Sequence, residues 1–121
     1  MRKRPREVDK VVIQKMIDYC HKTETFMNRF GANFESYSKD EAFQLACSAC
    51  IIQIGELTTR LSDEFKAQHS DIPWNMIKSL RNVHAHEYEN VDLDTMWKIL
   101  TEDIPTLKSQ LEKILATEEA T

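Results

Sequence analysis

Apolar residues return at helical intervals along most of this chain, and polar segments divide them into four stretches. In the first, Val12, Met16, Tyr19, Phe26 and Phe30 share one face, with Val8, Ile13, Ile17 and Met27 widening the stripe. Such spacing predicts a helix over residues 8–30 with that face buried. Gly31 should stop it, because a glycine just past the last apolar position readily takes the left-handed conformation that closes a helix. Residues 33–37 read as a connector. Ser38-Lys39-Asp40-Glu41 then fits a capping box, in which the serine hydroxyl and the glutamate each satisfy a free amide of the first turn. The second helix should turn Phe43, Ala46, Cys47, Cys50, Ile51, Ile54, Leu57, Leu61 and Phe65 inward and run to about His69. Gly55 lies within it, where glycine costs roughly 1 kcal/mol relative to alanine, so a close helix crossing or a bend is expected there.

Ser70-Asp71-Ile72-Pro73 ends that helix and begins a third, since proline is tolerated in a first turn. Trp74, Met76, Ile77, Leu80 and Val83 supply its apolar face. Asp92 is the cap expected for a fourth helix carrying Leu93, Met96, Trp97, Leu100, Ile104, Leu107, Leu111 and Ile114 inward. Pro105 removes one backbone donor inside it, which predicts a kink or a split near Glu102 and Asp103. Helices joined by short links pack side by side in opposite directions, so the expected fold is an all-α antiparallel four-helix bundle, or five helices if the last one splits. The expected organisation is a basic arm over residues 1–7, containing Arg2, Lys3, Arg4 and Arg6, followed by one helical domain over residues 8–118.

Composition agrees with helix. Two glycines and three prolines in 121 residues leave little material for the turns of a sheet protein. No apolar run approaches the roughly 20 residues of a membrane helix, and the basic N-terminus is followed by Asp9 and Lys10 rather than by a signal-peptide core. A cytoplasmic location is expected. The net charge of −4 argues against a general nucleic-acid coat but leaves room for a local basic site. Charge is uneven: the first thirty-one residues hold eight Lys/Arg against four Asp/Glu, and the last thirty hold three Lys against seven Asp/Glu. Cys47 and Cys50 form a C-x-x-C, yet no second pair completes four ligands and their neighbours are Ala46, Ala49, Ile51 and Ile54. With Cys20, they read as buried thiols filling the core, and no metal site is expected.

The chemistry gathers in Arg81-Asn82-Val83-His84-Ala85-His86-Glu87-Tyr88. A guanidinium fork grips phosphate through two hydrogen bonds and keeps its charge, and an imidazole gives or takes a proton near neutral pH. Together they suit phosphoryl transfer without a metal. On an ideal helix, Arg81 and His86 stand about 140° apart. Either the helix ends between them or a second copy of the chain completes the site. The same residues near a helix end would also simply offset the negative end of its dipole. Glu56, beside Gly55, can point toward Arg81 or into solvent.

Ile54-Gly55-Glu56, Leu61-Ser62, Ile72-Pro73-Trp74, Arg81-Asn82, His86-Glu87-Tyr88 and Val91-Asp92, in that order, resemble the HepT-like proteins of the HEPN superfamily. The resemblance covers nearly the whole chain after the basic arm. Its motif is an arginine, four to six residues and a histidine, often followed by one residue and a tyrosine. Arg81, His86 and Tyr88 match it. The resemblance implies a dimeric helical bundle acting as a metal-independent ribonuclease toxin without a cofactor. Arg81 would hold the scissile phosphate, His86 would move a proton and Asn82 would support them. The implied partners are RNA, a second copy of the chain, and an antitoxin of the MntA type, a minimal nucleotidyltransferase that attaches AMP to Tyr88 and can join a larger hetero-oligomer. His84 stands where relatives place an aliphatic residue and falls outside the motif window, so no catalytic role passes to it. The alternative implied by the superfamily is a non-catalytic module that binds a nucleotide or the nucleotidyltransferase.

Overall fold

The computed structural model of the chain describes residues 7–83 and 93–120. Those residues form α1 (Glu7–Phe30), α2 (Phe34–Lys39), α3 (Glu41–Thr58), α4 (Asp63–Gln68), α5 (Trp74–Ser79), a 3₁₀ turn (Leu80–Asn82), α6 (Leu93–Lys98), a π turn (Ile99–Asp103) and α7 (Ile104–Ala120). The result is an all-α bundle with no strand among the described residues. The three long helices make its frame: α1 packs on α3 and α7, while α5 and the 3₁₀ turn pack on α3. Met16, Cys20, Cys47, Ile51, Ile54 and Leu111 form the sealed centre between them.

α1 follows the expected stripe except at its start, where Val8 faces outward, 62% exposed. It stops at Gly31, whose φ is +119° and whose N–H donates to the Met27 carbonyl at 3.1 Å. The expected connector after it is instead helix α2. Asn33 caps α2 by accepting from the Ser36 N–H at 2.8 Å, and Tyr37 is fully buried against Phe43 and Trp97. That also moves the next cap. Ser38 lies inside α2 and donates to the Glu35 carbonyl, so Asp40 caps α3 in its place, accepting from the Phe43 N–H at 3.2 Å.

The long second helix expected to reach His69 ends at Thr58. Thr58 and Thr59 turn their hydroxyls onto the Ile54 and Glu56 carbonyls, a local bond that competes with helix continuation. Ser62 then caps α4 through the Phe65 N–H at 3.1 Å. Buried Asp9, in the first turn of α1, holds this corner: its two oxygens accept from the Ser62 N–H at 2.9 Å and from the Ser62 hydroxyl at 2.8 Å. Asp9→Ala should therefore lower unfolding free energy by about 2 kcal/mol, the scale of hydrogen bonds to a charged group, measured by urea denaturation. A change within a few tenths of a kcal/mol would show that α1 and α4 do not depend on this link.

The split expected near Glu102 and Asp103 is the π turn. The Ile104 N–H reaches back five residues to the Ile99 carbonyl, one step before Pro105, which has no N–H to give. Across the bundle, Lys108 of α7 donates to Glu24 of α1 at 2.9 Å, and that hydrogen bond raises the lysine above its ordinary pKa.

Candidate active site

α5 is short but firmly seated. The Trp74 indole N–H donates to the carbonyls of Lys66 at 3.2 Å and His69 at 3.0 Å, tying α5 to the last turn of α4. Phe65 lies tilted against it, with ring centroids 5.9 Å apart. Trp74, Ile77 and Leu80 face the core, which leaves Arg81 half-buried and Asn82 exposed at the end of the element. Val83 leaves helical conformation at φ −81° and ψ 113°, its N–H closing the 3₁₀ turn on the Leu80 carbonyl at 3.1 Å. The helix thus ends between Arg81 and His86, the first of the two arrangements that their spacing allowed.

Gly55 explains how Arg81 is placed. A Cβ built on this buried glycine would overlap the Arg81 backbone nitrogen and lie 3.0 Å from the Arg81 Cα and from the Leu80 carbonyl carbon. Two backbones meet here because one has no side chain. The expected close crossing is present, and its partner is the arginine itself, a pairing that no local sequence signal reveals. Glu56, the next residue, is exposed and forms no ion pair with Arg81. Arg81 has no carboxylate partner among the described residues, and a guanidinium is suited to grip an anion. His84, His86 and Tyr88 lie outside the described residues.

The three cysteines are buried in the core, as their apolar neighbours suggested. Burial pushes the thiols up, to about 12 at Cys20 and Cys47 and about 11 at Cys50, so they stay protonated and unreactive at neutral pH. Among the described residues, no group of three or more His, Cys, Asp or Glu is placed to hold a metal ion, and no helix is long and apolar enough to cross a membrane.

Comparison with known proteins bears directly on this arrangement. The family model described as "Ribonuclease HepT-like" matches residues 16–114, from the middle of α1 to the last turns of α7. The chain belongs to the HepT-like ribonuclease family. Relatives in this family include "Probable ribonuclease HepT" of Thermococcus cleftensis, 36% identical over 81 residues, which are 67% of this chain and 74% of that one. A protein of Caldanaerobacter subterraneus subsp. tengcongensis named as a "Putative RNase" is 34% identical over 88 residues, 73% of this chain and 79% of that one. No solved structure matches the chain. The HepT-like match encloses Gly55, Arg81 and the whole segment that carries His86 and Tyr88.

Proposed function

We propose that this HepT-like chain is a metal-independent endoribonuclease, the toxin of a toxin–antitoxin pair acting in the cytoplasm. The observation that carries the reading is Arg81: a half-buried arginine fixed through its backbone by Gly55 at a helix end, five residues before His86. In the proposed reaction, an RNA 2′-oxygen attacks the adjacent phosphorus and the bond from phosphorus to the 5′-oxygen breaks. One group takes the 2′-hydroxyl proton and another gives a proton to the departing 5′-oxygen. The products are a 2′,3′-cyclic phosphate and a 5′-hydroxyl. Arg81 neutralises charge as it builds on the phosphorane, and Asn82 offers amide donors beside it.

One motif histidine per chain cannot be acid and base in the same step. A two-fold homodimer that brings two Arg81/His86 pairs to one cleft provides both, because a two-fold interface presents the same patch from each protomer. Cleavage of a labelled RNA in the presence of chelator, by the wild type and not by His86→Ala, is the test of the reading.

Control is proposed to act at Tyr88. A minimal nucleotidyltransferase antitoxin would join the Tyr88 oxygen to the α-phosphorus of ATP, with pyrophosphate leaving. The added phosphodiester carries a negative charge and the adenosine bulk, so it competes for the Arg81 fork and repels RNA phosphate. Co-expression with such an enzyme should add the mass of one or more AMP units and remove RNA cleavage, while Tyr88→Phe should stay unmodified. The same mass gain in Tyr88→Phe, or full activity of the modified chain, would rule this control out.

A further inference from the structure

Across α3 from Arg81 lies a second basic feature. Lys15 and Lys22 of α1 and Arg60, just past α3, line a cleft of about 280 Å³ floored by buried Leu57. All three cations are exposed and none forms an ion pair among the described residues, whereas Lys10, Lys39, Lys66, Lys98 and Lys108 each do. Asp18 is the one carboxylate of the lining, so three positive charges against one negative leave the cleft at +2. That local excess sits in a chain of net charge −4.

The spacing describes the ligand. Lys15 and Lys22 are seven residues apart, two turns of α1, so they share a face and stand about 10 Å apart along the helix. One phosphate cannot be shared at that separation, but an extended polyanion can be tracked along it. Between them is the half-buried ring of Tyr19, which already carries the Lys22 ammonium at 4.5 Å from its centroid. Gln53 places an amide on the opposite wall. Cations interleaved with an aromatic face and an amide are the means by which proteins hold single-stranded nucleic acid with little regard to sequence. Gln53 and Leu57 each lie two residues from Gly55, about 200° around α3, which puts the cleft on the far side of the helix from Arg81. It is therefore separate from the candidate active site by about one helix width.

We propose that the cleft between α1 and α3 is an RNA-backbone site, gripping the strand away from the scissile phosphate through Lys15, Lys22 and Arg60. The choice of RNA as ligand rests on the ribonuclease reading, while the anion site itself rests on the cleft. Binding of a labelled single-stranded RNA is measured by fluorescence anisotropy across a salt series, using the full chain with His86→Ala so that the strand is not cut. Adding Lys15→Gln, Lys22→Gln and Arg60→Gln should weaken binding at least about tenfold at low salt. It should also flatten the dependence of log K on log salt by about 2, from three lost contacts at roughly 0.7 each. The comparison is an equal loss of charge elsewhere, Lys39→Gln, Lys98→Gln and Lys113→Gln, which should leave the slope nearly unchanged. If both triple variants bind alike, the cleft is not an RNA site. Failure of the His86-intact chain to cut RNA would remove the ribonuclease reading, yet the anisotropy comparison would still decide the cleft.

Discussion

Replacing His86 with alanine should reduce RNA cleavage by at least about 10⁴-fold without disturbing the helical fold. A positioned proton donor or acceptor contributes roughly 10²–10⁴ to a rate. In the proposed symmetric cleft, one substitution removes both the acid and the base, because each protomer contributes the same residue. Arg81 would remain, so binding of RNA should fall far less than turnover. His84→Ala is the matched control, for it removes an imidazole two residues away, outside the spacing that joins Arg81 to His86. Most activity should survive it. Initial rates on a labelled RNA, with circular dichroism on each variant, measure both. Equal loss from the two substitutions in folded proteins would defeat the assignment of the proton-transfer role to His86.

Gly55→Ala should reveal how much depends on one missing methyl group. In a helix with room beside it, this change stabilises by about 1 kcal/mol, since alanine is the better helix former. Here the new Cβ would overlap the Arg81 backbone nitrogen, and backbone cannot rotate aside as a flexible side chain can. Overpacking a core costs typically 1–3 kcal/mol, so the net loss of stability should be at most about 2 kcal/mol. The effect on rate should be larger. α3 and the 3₁₀ turn must separate, and a shift of about 1 Å in a phosphate-holding group can cost 10²-fold. The expected variant is folded, somewhat less stable in urea and about a hundred times slower. Wild-type activity in Gly55→Ala would show that the contact with Arg81 does not position the arginine for the reaction.

What the chain's own pattern revealed, and what it hid, follows from the distance over which each feature is decided. Gly31 and Pro105 act through their own backbone chemistry, so the end of α1 and the interruption before α7 were both legible. The ending of a helix between Arg81 and His86 was one of two open arrangements, and Val83 shows that ending. By contrast, α2 exists because Tyr37 finds Trp97, sixty positions away, a packing that no local pattern announces. The corner after Thr58 is held by Asp9, which binds Ser62 across 53 residues. Asp40 displaced Ser38 as the cap of α3 because two good capping residues lie two positions apart and the helix before them decides which is free. The site shows the same division. Arg81 was evident from its neighbours in sequence, but the contact that places it, with Gly55, is tertiary. The cleft beside Tyr19 has no local signature, because its cations come from α1 and from just past α3.

The most direct test of the central claim is the chemistry of the cut ends. Purified chain is incubated with a defined RNA in excess EDTA, and the products are resolved and their termini identified by mass spectrometry. Metal-independent attack by the 2′-oxygen predicts an undiminished rate, 2′,3′-cyclic phosphate and 5′-hydroxyl ends, and no cut where a single 2′-deoxynucleotide replaces the ribonucleotide at the cleavage site. Loss of activity in EDTA with recovery on adding magnesium, or ends carrying 3′-hydroxyl and 5′-phosphate, would contradict it.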